Sequence, residues 1–175
     1  FGLIFDRWGH SFTPHNINHM LQRILPVSAM ERFMGYPMGD GTISISDHGE
    51  MARIFPVSEA MTRVNHPEQA GHFSSSGGMG LIPKAFETDV IGGGVLVCDV
   101  VGNLVHRDVM SGQGPGLVAS RATEEQHAEF IASRDAHFRP VGLEQGPDGA
   151  LYLIDMQREV IEHPDYIPDQ IMDRY

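Results

Sequence analysis

Four stretches of this chain repeat one pattern of apolar and polar positions. Strand-type apolar residues lead to an acidic residue, a glycine follows within three positions, and an alternating run resumes. The stretches are LIFDRWGHSF with Asp6 and Gly9, ISISDHGEMARIF with Asp47 and Gly49, VLVCDVVGNLVHR with Asp99 and Gly102, and GPDGALYLID with Asp148 and Gly149. Asp initiates turns because its carboxylate accepts nearby backbone N–H groups, and Gly takes positive φ without a Cβ clash. Between period-two runs, each stretch predicts a β-hairpin. The turn glycines fall 40, 53 and 47 residues apart. Spacing of about 40–50 residues marks propeller blades, each a small antiparallel sheet. A meandering β-sandwich is the alternative arrangement of the same strands.

Between the hairpins the periodicity lapses. Residues 26–42 and 56–86 predict long irregular connections, and SSSGGMG at 74–80 reads as turn chemistry. IGGGVLV leads into a strand, so its glycines do not open a helix that could hold phosphate. Residues 120–138 contain the one helix signal, with Thr123 as cap and Gln126 completing a capping box. The expected fold is therefore all-β: a partial β-propeller of three to four antiparallel blades, with long loops and one short helix, forming a single domain over residues 1–175. Propeller rings close with about 4–8 blades, so the chain holds about half a ring. Its open sheet edges then need the rest of the ring or a partner protein to cover them. Phe1 opens inside a strand-type run, which predicts a processed product or a fragment of a longer chain.

Charge narrows the partners. Lys plus Arg is 12 against 23 Asp plus Glu, a net charge of −11 among 175 residues. Nucleic-acid binding runs on cationic side chains, so a nucleic-acid partner is not expected. The lone cysteine, Cys98, sits in an apolar run and reads as core. No apolar run approaches the roughly 18 residues of a membrane span.

FDRWGHSF, VGNLVHRDV and FRPVGLEQGPDGALYLIDMQREVIEHPDYIP together resemble the propeller of planctomycete-type membrane-bound dehydrogenase-like proteins. Those are distant relatives of soluble pyrroloquinoline-quinone (PQQ) sugar dehydrogenases. The resemblance is strongest over residues 93–168 and again over 1–25. It implies a six-bladed, exported propeller of which this chain is roughly the second half. It also implies a periplasmic or extracytoplasmic location, peripheral to a membrane complex, and oxidation of sugars or alcohols with PQQ and Ca²⁺. A haem c protein would accept the electrons. Two departures stand out. CxxCH is absent, so no covalent haem is expected on this chain, and the stretch from Asp99 to Val105 lacks the Lys or Arg that quinone-dependent relatives can carry there.

The candidate chemistry follows from these segments. In LVHRDV, His106 is the candidate base for abstracting a hydroxyl proton, and Arg107 offers a bidentate fork to a quinone carboxylate. The resemblance makes Arg139, ahead of the GPDG turn, the first candidate cofactor contact. Asp155 and Arg158, with His163 beyond them, are rim candidates for the same cofactor. The plainer reading of each is an ion pair between or within blades. HNINH sets His15 and His19 four apart, where they would share a strand or helix face. It lacks the Glu of HExxH, so a blade-top polar cap is expected and no metal site. Two functions follow: part of a quinoprotein-like dehydrogenase propeller or, with the site degenerate, a non-catalytic scaffold subunit of a larger periplasmic or membrane-associated complex.

Overall fold

The computed structural model describes residues 2–33, 39–59, 71–82, 93–112 and 116–161. The expected all-β architecture is present, as three antiparallel sheets. The first contains β1 (Ile4–Phe5), β2 (Ser11–His15), β3 (Asn18–Arg23) and β4 (Thr42–Ser44), in that order. The second runs β5 (Ser76–Leu81), β6 (Val95–Asp99), β7 (Leu104–Ser111) and β8 (Val118–Arg121), with the short β9 (Ile131–Ala132) also on β7. The third is the hairpin of β10 (Pro140–Gln145) and β11 (Leu151–Asp155).

The sheets stack, with the second in the middle. The whole of β6 is buried. Strand side chains alternate between faces. Val95 and Val97 therefore join Phe12, Met20 and Ile45 in one core, while Leu96 and Cys98 join Val105 and Leu143 in another. Burying each such aliphatic side chain contributes about 1.5–3 kcal/mol. A strand covered on both faces has no polar side to show, which explains the unbroken apolar run VLVC. The terminal sheets lack this cover. Trp8 is 73% exposed near one end, and Tyr152 and Ile154 are 53% and 51% exposed at the other.

The turns at Gly9, Gly49 and Gly149 carry positive φ. In the third turn the left-handed residue is Asn103, at φ 54°, one place after Gly102. The turn around Gly49 does not close a hairpin. Asp47 N donates to Ala119 O at 3.0 Å and Ala119 N to Ile45 O at 2.7 Å. A parallel bridge between Ser46 and Ala119 ties this segment to β8, joining the first sheet to the second.

Three further local expectations are corrected. SSSGGMG supplies a strand, β5, because its glycines let β10 approach. A Cβ on Gly78 would lie 2.1 Å from Val141 O, and one on Gly80 would lie 2.7 Å from Leu143 Cβ. Gly78→Ala is expected to cost about 1–3 kcal/mol by forcing these backbones apart. Equilibrium denaturation checks this, and an unchanged midpoint would mean that β10 does not sit against β5. The helix expected in 120–138 is only a 3-10 turn, Thr123–Glu125, without a side-chain cap. Gln126 donates instead to the carbonyls of Arg121 and Ala122, and β9 then pairs with β7. The α-helix among the described residues is α1 (Val27–Met30), inside the stretch expected to be irregular. Part of the 56–86 connection, and His163, lie outside the described residues. Among the described residues no helix is long and apolar enough to cross a membrane.

Candidate functional site

The buried face between the first two sheets carries an unusual polar centre. On β7, residues two apart share a face. His106 and Asp108 thus point toward the first sheet, and Arg107 points away. His19, on β3, meets them from the first sheet, with its Nε2 2.9 Å from Asp108 Oδ2. His106 Nε2 lies 3.0 Å from Asp108 Oδ1. The turn after β4 brings His48, whose Nε2 is 3.5 Å from the same Oδ1. His19, His106 and Asp108 have no exposed side-chain surface, while His48 is 23% exposed and forms the boundary with solvent.

An outer layer orients two of the imidazoles. His106 Nδ1 is 2.9 Å from Glu129 Oε2. The buried Glu129 also pairs with Arg121 at 3.1 Å and accepts the Phe55 N–H at 2.9 Å. His48 Nδ1 is 2.6 Å from Asp47 Oδ1. His19 stacks on Phe73, centroids 4.3 Å apart, and on His48 at 5.0 Å. His19 Nδ1 and His48 Nε2 are buried atoms without a hydrogen-bond partner.

Burial and proximity act in opposition on these groups. Burial drives the His19 imidazole down to about 4, against the pull of its hydrogen bond to Asp108. Burial also works to lower His106, but bonds to Asp108 and Glu129 outweigh it and raise that imidazole above its ordinary value. Burial opposes ionisation of Asp108, yet hydrogen bonds from His106 and His19 hold its carboxyl far below the usual range. In a metal-free centre the carboxylates of Asp108 and Glu129 on either side of His106 favour its charged form. One nitrogen of each imidazole and one Asp108 oxygen all lie within 4.8 Å of one another, a donor set suited to a divalent ion.

The other sequence candidates lie apart from this centre. Arg107, on the opposite face of β7, is 1% exposed and pairs with Glu124 and Glu125, with its guanidinium over the Phe130 ring. Arg139 is also 1% exposed. It donates to the carbonyls of Val100, Arg158 and Glu159, so a cation from the residue preceding β10 sits against the β6–β7 turn, which has no Lys or Arg of its own. The Asp155 carboxylate accepts the N–H groups of Arg139 and Gln157 at 2.7 and 2.9 Å, and no Asp155–Arg158 ion pair forms. Arg158 is exposed and contributes its carbonyl to Arg139. His15 is exposed at the end of β2, so it does not share a site with His19. Sequence reasoning missed His48, Glu129, Asp47 and Arg121. The available signal was the His beside the turn in SDHGE.

The family described as Domain of unknown function (DUF7133) matches residues 1–175. No curated protein and no solved structure matches the chain.

Proposed function

We start from a chain that belongs to the DUF7133 family and propose that it supplies about half the ring of an exported, quinoprotein-like sugar or alcohol dehydrogenase propeller. Within that ring its described residues serve as scaffold. The observation carrying this reading is that the candidate cofactor contacts are spent inside the fold. Arg139 holds three backbone carbonyls, Arg107 holds Glu124 and Glu125, and Asp155 holds two backbone N–H groups. A quinone carboxylate needs guanidinium donors that face a cavity. These residues do not fit that role, so PQQ and Ca²⁺, where the whole protein binds them, would be held by other residues. His106 is equally enclosed, with both ring nitrogens engaged and no exposed surface.

The exposed apolar residues on the terminal sheets support a ring completed from elsewhere, by the rest of the propeller or by a partner. A haem c acceptor and a position beside a membrane complex belong to the same proposal. The test uses the full-length protein with added PQQ and Ca²⁺. Arg107→Met is expected to leave quinone affinity and dye-linked activity unchanged while lowering stability. Loss of quinone binding at unchanged stability would return Arg107 to the cofactor site and overturn the scaffold reading. Absence of any quinone binding by the wild type would remove the dehydrogenase-like assignment and leave the non-catalytic scaffold subunit.

A further inference from the structure

We propose that His19, His48, His106 and Asp108 bind one zinc-class divalent ion, closing a four-ligand structural centre that staples the first sheet to the second. The donor chemistry is complete. His106 Nδ1 is committed to Glu129 and His48 Nδ1 to Asp47, so in both rings Nε2 is left to face Asp108. His19 presents Nε2 to the same carboxylate. A second carboxylate behind a ligand histidine is the usual means of fixing its tautomer and ring orientation.

The spacing is also right. Zinc bonds of about 2.0–2.1 Å set tetrahedral ligand atoms about 3.3 Å apart. The imidazole-to-Asp108 distances are 2.9 Å to Oδ2 and 3.0 and 3.5 Å to Oδ1, close to that edge, and the four donors all lie within 4.8 Å, so a bound ion would draw the imidazoles slightly inward. Without an ion, His48 Nε2 is a buried nitrogen with no hydrogen-bond partner, and an ion at the centre would satisfy it. The charge balance points the same way. Asp108 and Glu129 are carboxylates with no exposed surface, and among the described residues the ion pair of Arg121 is with Glu129. A divalent ion held by the three neutral imidazoles would take the place of a proton on His106 as the cation facing Asp108. Four protein ligands leave no open position for substrate, which marks a structural centre and not a catalytic one. His48, the half-buried ligand at the solvent boundary, gives the ion its route in.

The test measures zinc in the full-length protein after dialysis against a weak chelator, with Co²⁺ as a spectroscopic substitute. One equivalent of zinc is expected, and Co²⁺ should give the intense visible bands of a tetrahedral site. His48→Ala should weaken zinc binding by about 100-fold or more, and Asp47→Asn by about 10–100-fold. His48→Cys keeps a zinc ligand. It should restore binding and add a thiolate-to-Co²⁺ charge-transfer band, a signal that a purely structural histidine could not produce. The proposal fails if the wild type takes up no zinc. It fails equally if His48→Ala binds as tightly as the wild type, or if His48→Cys with bound Co²⁺ shows no thiolate band.

Discussion

Replacing Arg139 by alanine is expected to destabilise the protein by about 2–4 kcal/mol, because several backbone carbonyls lose a charged donor at once. The reason is the number of groups left behind. The Arg139 guanidinium donates to Val100 O at 2.7 Å in the β6–β7 turn, to Arg158 O at 2.9 Å and to Glu159 O. These bonds are part-buried, and each carbonyl left unpaired and shielded from water costs about 1–3 kcal/mol. The same turn is held from within by Asp99, whose carboxylate accepts the Gly102 N–H at 2.7 Å. Asn103 adds a bond from its Nδ2 to Phe138 O at 2.6 Å. Arg139 is thus the pin between the middle sheet and the segment after β11. Urea denaturation measures the loss, and limited proteolysis should show earlier cutting near residues 156–161. Arg139→Lys should recover only part of it, because an ammonium cannot span carbonyls from both segments as a planar fork does. A loss below about 1 kcal/mol for the alanine variant would show that the pin is not needed.

In the zinc-free protein, Asp108→Ala is expected to cost about 3–5 kcal/mol, because it leaves His19 and His106 buried without their common acceptor. Its effect should depend on pH in a defined direction. The folded carboxyl is depressed below its ordinary 3.8, so its contribution is complete above that value and declines progressively as pH falls from it toward the depressed folded value. The stability gap between wild type and variant should therefore be full at neutral pH and shrink in acid below about 3.8. A gap independent of pH would mean that the carboxylate charge is not what the imidazoles need.

These two residues also show how far the sequence could be read. Arg139 was visible as an arginine ahead of the GPDG turn, but its partners are backbone carbonyls, and carbonyls carry no sequence signature. His106 was visible as a candidate base on a strand, but Asp108, two places on and therefore on the same face, was not singled out. His19 was visible in HNINH, paired there with His15, which is exposed. The true neighbour, His48, came from a turn that was legible as a turn and silent about its side chain. SGGMG was misread as a turn because Gly favours turns in general. In this chain Gly78 and Gly80 make room for β10, a requirement set by residues more than 60 positions away.

What the sequence determined by itself was local. Period-two alternation, Asp and Gly at the turns and the fully apolar run of β6 specify strands and the faces they present. Strand geometry couples each residue to its nearest neighbours, so those features can be read one segment at a time. Tertiary structure alone decided which polar faces meet. His19 and Asp108 are 89 residues apart and touch only because two sheets stack across the Val95 and Val97 core. Burial then made that contact consequential, since the same four side chains in water would be four separate groups.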